Sequence, residues 1–167
     1  MKWIDYKGLF LNIFPEQSVS EQSDTLKMIG RREWCRLDEL NSGWIDARIA
    51  TGGRTSVLHV SGVRTYHESG NRQVEFVVGR DEDDNNSGIV CHATVYDQKE
   101  FKGPDGFSEL KWIIRSPLSL GDSTWTIPVA LTSEKFVHSR LVLGRTALQG
   151  RFRVDASKAY LMDKGSS

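Results

Sequence analysis

The chain lacks an excess of either charge, because its 22 lysines and arginines are matched by 22 aspartates and glutamates. A balanced composition gives no overall field that would attract nucleic acid or an anionic membrane. The sequence also lacks any apolar run of the roughly 20 residues that a membrane-spanning helix needs. The stretch Gly8–Phe14 is too short to span, and the start shows no signal-peptide core with a cleavage site. We therefore expect no nucleic-acid partner and no membrane span.

Cysteine is scarce, with Cys35 and Cys91 the only two in the sequence. Two cysteines are too few for a disulfide scaffold, and such low usage favours a reducing compartment. The cytoplasm is therefore the expected location, with the periplasm as the alternative. A single bridge between Cys35 and Cys91 stays open at this point.

The usual metal and nucleotide motifs are missing as well. There is no His-Glu-x-x-His, neither cysteine has a second cysteine nearby, and no glycine-rich phosphate loop ends in Lys-Ser or Lys-Thr. A strand histidine such as His59 is better explained by packing or hydrogen bonding than by metal binding. The sequence predicts no metal site and no cofactor. The histidines are scattered at His59, His67, His92 and His138.

The organisation of the chain is that of one domain with an appendage at its start. Residues 1–27 are predicted to be an N-terminal extension, because an apolar patch is followed by the linker-like polar stretch Pro15–Asp24. From Lys27 onward, short strand patterns separated by turns predict a mostly β barrel or sandwich. The clearest strands are Val74–Val78, Ile89–Tyr96, Leu110–Arg115 and Trp125–Leu131.

Three local features add detail to this pattern. Pro128 cannot donate to a neighbouring strand, so the strand Trp125–Leu131 is expected at a sheet edge or with a bulge. The acidic stretch Asp81–Gly88 is expected to be a solvated loop, since it lacks the distal glutamate of a calcium loop. The one predicted helix is short, beginning near Thr146 and ending at Gly150.

A loop of small residues, Ala50–Gly53, separates two strand patterns. Before the loop, Ile45, Ala47 and Ile49 alternate with polar or small residues and would share one face of a strand. After the loop, Arg54–Val60 gives a second strand pattern. Taken alone, such small residues predict no more than a turn.

Two further motifs give this loop a specific meaning. Three motifs in a fixed order identify a protein family far more specifically than one motif does. Here the three segments are Ile29–Trp34, Ala47–His59 and Leu143–Asp155. Together they resemble a bacterial family of retropepsin-like aspartic proteases, often labelled ATP-dependent zinc proteases. The resemblance covers residues 28–162 and leaves 163–167 as a C-terminal tail. The family pattern has aspartate at the position of Ala50, and usually alanine at that of Gly53.

The resemblance implies both an architecture and a chemistry. Aspartic proteases need two carboxylates close enough to share one proton. This chain has one loop of the required kind, so the resemblance implies a closed barrel with one short C-terminal helix that acts as a homodimer. Residues 151–161 are the expected contributors to the dimer interface near the C-terminus. The implied function is peptide-bond hydrolysis by an aspartic endopeptidase.

The resemblance also assigns roles within the site. Ala50 takes the position of the catalytic aspartate, Thr51 would hydrogen-bond across the two-fold axis, and Gly52 would leave room for the substrate backbone. The apolar strand and the Gly-Arg pair would support the loop from behind, where Gly144 lets two backbones approach closely. These supporting residues are Leu143, Gly144 and Arg145.

Substrate contacts are expected on both sides of the groove. Gly53 and Arg54 would border it, and a guanidinium there favours an acidic peptide or protein substrate. A structural salt bridge for Arg54 is the competing interpretation, and Arg145 is expected to pair with a carboxylate, with Asp155 as a candidate. A flap over the substrate is expected at a hairpin tip, with an ordinary exposed hairpin as the alternative. The flap residues are Gly103, Pro104, Asp105 and Gly106.

Without an aspartate at position 50, the chain is expected to be inactive as written. Ala50 is either natural, giving a pseudoprotease that binds peptides without cutting them, or a substitution introduced into an active enzyme. The intact neighbouring residues favour the second interpretation. Some members of the family are encoded beside ligases that add glutamates to a ribosomal protein, so the resemblance permits a role in trimming such tails.

Overall fold

The computed structural model describes residues 26–79, 88–103, 105–134 and 139–165. Within them, helix is limited to the single turn α1 (Arg145–Leu148) and a 3-10 turn at Asp38–Leu40. The prediction of a mostly β chain with one short helix is therefore confirmed. The strands are β1 (Lys27–Gly30), β2 (Arg32–Leu37), β3 (Ile45–Ala50), β4 (Ser56–His59), β5 (Ser61–Glu68), β6 (Asn71–Val78), β7 (Ile89–Lys102), β8 (Ser108–Leu120), β9 (Ser123–Thr132), β10 (Leu141–Gly144) and β11 (Phe152–Asp155).

Some sequence-based expectations fall outside the described residues. They are the N-terminal extension up to residue 25, the acidic loop over residues 81–87, and Pro104 and His138. Among the residues that the structure does describe, no helix is long and apolar enough to cross a membrane.

The four clearest predicted strands are present as β6, β7, β8 and β9. β7 and β8 are longer than predicted, because they pair as an antiparallel hairpin that continues to Lys102 and Ser108. The outer part of this hairpin carries mainly exposed polar side chains, so apolar alternation could not mark it. The helix begins one residue before the predicted start, and Gly150, with a φ of 76°, follows its end.

The main sheet has nine strands in the order β2-β3-β10-β4-β9-β8-β7-β6-β5. β2 also pairs with β8, so the pairings of six strands run from β2 through β3, β10, β4, β9 and β8 back to β2. β10 lies between β3 and β4, parallel to β3 and antiparallel to β4. A strand from late in the chain therefore separates the two strands that flank the loop at residues 51–55.

Pro128 does not lie in an edge strand or at a bulge, so that prediction is wrong. β9 is flanked by β4 and β8, and its register with β8 continues unbroken through Pro128. The physical reason is that pairing with β4 begins only at Val129. The missing N–H of Pro128 therefore costs no hydrogen bond to β4.

The core lies on one face of the strands that surround the loop. In β3 the predicted alternation is present, with Ile45, Ala47 and Ile49 buried against the core. Asp46, Arg48 and Ala50 therefore project from the opposite face of the same strand. Burial of the first three side chains fixes the direction in which the other three point.

The two cysteines are free thiols and both are buried, so no bridge joins Cys35 to Cys91. Burial raises the pKa of each thiol above its ordinary value. Neither side chain is therefore a reactive thiolate at neutral pH.

A buried carboxylate ties the C-terminal segment to the start of the domain. Glu33 on β2 has no exposed surface. Its Oε1 accepts hydrogen bonds from the N–H groups of Gly30 at 2.7 Å and Leu161 at 3.0 Å, and its Oε2 accepts one from Met162 at 3.1 Å. The carboxylate is thus held by three backbone donors in place of water.

The C-terminal segment after β11 lies against β1 and β2. β11 pairs in parallel with β1 of the same chain, and the ring of Tyr160 stacks on Trp34 at 5.6 Å between centroids. Within the expected tail, Lys164 and Gly165 also contact the domain. The Nζ of Lys164 lies 4.0 Å from the centroid of Trp34, and Gly165 lies close to Gly121.

We expect Glu33→Gln to lower the free energy of unfolding by about 1.5–3 kcal/mol, because it replaces a charged acceptor of backbone N–H groups by a neutral amide. Urea denaturation measures the change. Glu39→Gln is the matched control, since Glu39 is exposed, and it should change stability by less than about 0.5 kcal/mol. Equal stability of both variants would show that the three hydrogen bonds contribute nothing.

Candidate active site

Ala50 is the last residue of β3 and lies in register with Gly144 of β10. The chain then leaves the sheet as an exposed loop, Thr51–Arg54, and returns as β4 at Ser56. The chain turns back here while β10 passes between the two strands that flank the loop. The structure thus brings together the two motifs that the sequence analysis singled out.

The loop is fastened to the first turn of α1 by backbone hydrogen bonds. The N–H of Arg145 donates to the carbonyl oxygen of Gly53 at 2.8 Å, and that of Thr146 donates to Arg54 at 3.2 Å. The hydroxyl of Thr146 donates to the same Arg54 oxygen at 2.6 Å. These bonds fix the loop backbone while leaving the side chains at residues 51–54 exposed.

Gly144 lies at a point where two backbones come unusually close. A Cβ at this position would lie 2.6 Å from the carbonyl oxygen of Arg54 and 2.7 Å from the carbonyl carbon of Thr55. The N–H of Gly144 donates to the buried hydroxyl of Ser56 at 3.1 Å. Leu143 beside it is fully buried in the core. Any side chain at this position would collide with the backbone of Arg54 and Thr55, so glycine fits here.

Gly52 and Gly53 differ from Gly144 in having space beside them. Among the described residues, nothing lies within 4 Å of a Cβ built at either position. Thr51 next to them is exposed as well. Another backbone, from a substrate or from a second copy of the chain, has room to approach the loop on this side.

The two arginines of the motifs are both exposed. No carboxylate among the described residues forms an ion pair with Arg54 or Arg145. The expected pairing of Arg145 with Asp155 is not formed, because Asp155 is taken by nearby residues: it accepts a hydrogen bond from Ser157 at 2.6 Å and lies 3.6 Å from the Nζ of Lys158. The bonds from Ser157 lower the pKa of Asp155 below its usual value.

The described residues of the hairpin tip expected as a flap, Gly103 and Asp105–Phe107, connect β7 to β8. The N–H of Gly103 donates to Phe107 at 2.7 Å, and the N–H of Gly106 donates back to Gly103 at 3.0 Å. The N–H of Phe107 also donates to the carboxylate of Asp105 at 3.1 Å. Gly106 has a φ of 82°, which glycine adopts without strain, and the side chain of Phe107 is 78% exposed.

A cavity of about 430 Å³ lies beneath this tip. Its buried end holds Lys111, whose Nζ donates to the hydroxyl of Thr132 at 2.9 Å and lies 3.0 Å from Glu109 and 3.5 Å from Glu134. The other lining residues include Phe101 and the tip glycine Gly103. Lysine and glutamates balance one another there, so this cavity carries no excess positive charge.

The face of β3 that carries Ala50 holds one carboxylate, and it is already engaged. Both oxygens of Asp46 accept hydrogen bonds from the guanidinium of Arg32, at 2.5 to 3.1 Å, and one also accepts from the hydroxyl of Tyr160 at 3.0 Å. Asp46 therefore serves to anchor Tyr160, and Ala50 itself has no group that can move a proton.

A family model for the retropepsin-like aspartic endopeptidase RimB matches residues 28–165. The chain belongs to the RimB-like family. Among curated relatives, this RimB-like chain is 33% identical over 129 residues to a probable alpha-L-glutamate ligase of Desulfotalea psychrophila, covering 77% of the chain and 28% of the relative. It is 31% identical over 144 residues to one of Shewanella pealeana, covering 86% and 31%. The chain thus spans less than a third of the length of these relatives, and the ligase name is that of the longer proteins.

A solved structure supports the fold of the RimB-like chain. The Legionella pneumophila protein Lpg0085, of unknown function, superimposes with a TM-score of 0.68 at 20% identity. The match covers 82% of this chain and 98% of that protein. At this identity the likeness concerns the fold alone.

Sequence reasoning missed three residues that shape the site. Ser56 and Thr146 fasten β10 and the loop through their hydroxyls, and Arg48 projects from the same face as Ala50. The signal for Arg48 was available, because residues two apart on a strand share a face. Nothing in the sequence marked the two hydroxyls, since their partners lie 88 and 92 positions away along the chain.

We expect Gly144→Ala to destabilise the fold by about 1–3 kcal/mol or more, because the added methyl meets backbone atoms that cannot move aside cheaply. Gly52→Ala is the control, since nothing among the described residues lies within 4 Å of its Cβ, and it should change stability by less than about 1 kcal/mol. Thermal unfolding followed by circular dichroism measures both. Two equally stable variants would contradict the close approach seen here.

Proposed function

We propose that the RimB-like chain is a retropepsin-like aspartic endopeptidase in its inactive form, with Ala50 in place of the catalytic aspartate. The observation that carries the proposal is the position of Ala50. It ends β3 in register with Gly144, at the start of an exposed loop held by the first turn of α1. A carboxylate at this position would project from the face of β3 opposite to the core, at the start of a loop that has free space beside Gly52 and Gly53.

The chemistry follows from a pair of carboxylates that share one proton. The ionised member removes a proton from a water molecule, whose oxygen forms a bond to the carbonyl carbon of the peptide. The protonated member donates its proton to the carbonyl oxygen, giving a gem-diol. Transfer of a proton to the amide nitrogen then allows the C–N bond to break, releasing an acid and an amine. The backbone of residues 51–53 would hold the pair and the substrate in place.

The second carboxylate of this pair is proposed to come from a second copy of the chain. The described residues contain one loop of this type, and its outer side is open. A two-fold axis beside the loop would bring two copies of position 50 together, with Thr51 bonding across the axis. The ring of pairings from β2 back to β2 through β8 supports the closed barrel that such a subunit requires.

The proposed substrate is an acidic peptide or protein. Arg54 borders the loop with an exposed guanidinium that no described carboxylate neutralises. Relatives that contain a segment similar to this chain are named probable alpha-L-glutamate ligases, which links the segment to glutamate-containing products in those proteins. A hydrolase of glutamate-rich peptides accounts for both observations.

A second candidate function is a peptide-binding module without catalysis. It is favoured by Ala50 itself, because the loop, the supporting strand and the open side are all retained without the aspartate. The codon at position 50 in the source gene separates the two candidates. An aspartate codon indicates a peptidase whose active residue was replaced, and an alanine codon indicates a natural pseudoprotease.

We expect Ala50→Asp to create peptidase activity at least about a hundredfold above that of the unsubstituted chain, because it supplies the acid–base pair. The rate should follow a bell-shaped pH profile. It falls at low pH as the ionised carboxylate gains a proton and at high pH as the protonated one loses it. Chelators should not change the rate, and sedimentation should show a dimer.

Ala50→Asn is the matched control, since it has the shape of aspartate without an ionisable group, and it should remain inactive. A dimeric Ala50→Asp protein that cuts no member of a broad peptide library would favour the binding module. Loss of activity with a chelator would point to a metal-dependent mechanism.

In the Ala50→Asp background, Arg54→Ala is expected to reduce the preference for acidic over neutral peptides by roughly tenfold to a hundredfold, the size of a charge-assisted contact. The melting temperature should stay unchanged, because Arg54 is exposed and has no ion-pair partner among the described residues. Catalytic efficiency on one acidic and one neutral peptide measures the effect. An equal loss on both peptides with a lower melting temperature would assign Arg54 to the fold.

A further inference from the structure

Arg48 is the basic side chain that shares the outer face of β3 with Ala50. It lies two residues before Ala50, and two residues along a strand place side chains on one face about 6.6 Å apart. It is exposed, whereas its neighbours Ala47 and Ile49 are buried in the core. The core contacts of these neighbours therefore fix Arg48 towards the face on which the proposed reaction takes place.

No carboxylate of the described residues neutralises the charge of Arg48. Arg32 lies directly opposite it on β2, and like charges in opposing positions repel one another. The carboxylate on this face, Asp46, accepts hydrogen bonds from Arg32 with both oxygens and from the hydroxyl of Tyr160 with one of them. Among the described residues no carboxylate pairs with Arg48. A positive charge thus lies here without an ion-pair partner in the part of the chain that the structure describes.

On the side of β10, the surface beside Arg48 is apolar. Val142 of β10 is its register partner on the other side, and Val57 of β4 is the register partner of Val142. Both are half-buried and lie on the face opposite to the core residues Leu58, Leu141 and Leu143. Towards the start of β3, Tyr160 occupies the same face, where its hydroxyl donates to Asp46. The patch is therefore short, with an exposed guanidinium at one side and two half-buried valines beside it.

We propose that Arg48, with Val142 and Val57, forms a specificity pocket for a glutamate side chain of the substrate peptide. This glutamate would lie next to the peptide bond that a carboxylate at position 50 cuts. The inference rests on the proposed peptide site. The methylene groups of glutamate would pack on the valines while its carboxylate meets the guanidinium, which suits a planar bidentate acceptor. An aspartate side chain is one methylene shorter. Its carboxylate would reach the guanidinium only if its methylene lost contact with the valines.

The first test measures peptide binding by the unsubstituted chain, which lacks an aspartate at position 50 and would therefore bind peptides without cutting them. Fluorescence anisotropy follows labelled peptides of alanine and serine that carry a single central Glu, Asp or Gln. The Glu peptide should bind about tenfold more tightly than the Gln peptide, with Asp between them. Arg48→Ala and Arg48→Gln should remove this preference, and Arg48→Glu should shift it towards a Lys peptide.

Arg64→Ala is the matched control. Arg64 is an exposed strand arginine at the far edge of the same sheet, so its removal changes the net charge equally. It should leave the ratio of Glu to Gln binding unchanged. The proposal is overturned if the ratio of Glu to Gln binding is the same in the Arg48 variants as in the control. It is also overturned if the unsubstituted chain binds Glu and Gln peptides alike.

The second test separates this inference from the proposed peptidase function. In the Ala50→Asp background, cleavage products identified by mass spectrometry show which residue lies next to the cut bond. If cleavage occurs with a Glu preference that Arg48→Gln abolishes, both proposals are supported. If cleavage occurs without dependence on Arg48, the pocket is refuted and the peptidase stands. If nothing is cut but binding still depends on Arg48, the pocket stands and the peptidase fails.

Discussion

The site depends on one close approach between two backbones. Gly144 of β10 lies so near to Arg54 and Thr55 that no side chain fits between them. This contact lets β10 run between β3 and β4, and it places the first N–H groups of α1 within reach of the loop carbonyls. The exposed loop at residues 51–54 is thus held without a buried side chain of its own. The loop thus combines a backbone held by hydrogen bonds with an exposed surface.

A second constraint acts on the opposite side of β3. The carbonyl oxygen of Arg31 accepts the N–H of Ile49, and the N–H of Arg31 donates to Lys158 at 2.7 Å. Glu33 holds the same C-terminal segment by two further N–H groups, at Leu161 and Met162. The end of β3 is therefore positioned by two parts of the chain that are far away in sequence. Preorganisation of this kind is what an acid–base pair requires, since misplacement of about 1 Å can cost a hundredfold in rate.

Much of this fold could be predicted from local pattern. The alternation of Ile45, Ala47 and Ile49 and the apolar run around Leu143 gave the strands that flank the site, because burial of one face sets a period of two. The pairing of Arg145 with Asp155 could not be judged in this way, since Ser157 and Lys158 compete for the same carboxylate at shorter range. The role of Glu33 was also hidden, because its partner Met162 lies 129 positions further along the chain. Local patterns specify strands, while contacts between distant residues decide how side chains are used.

The late position of β10 in the sequence has a consequence for synthesis. Ala50 leaves the ribosome long before Gly144, and the loop bond between Thr146 and Arg54 spans 92 positions. Contacts of such long range form slowly, because the intervening chain must first be ordered. A growing chain therefore exposes residues 50–54 as an unsupported segment until β10 and α1 have emerged. The loop therefore gains its backbone hydrogen bonds only after the chain has been made as far as α1.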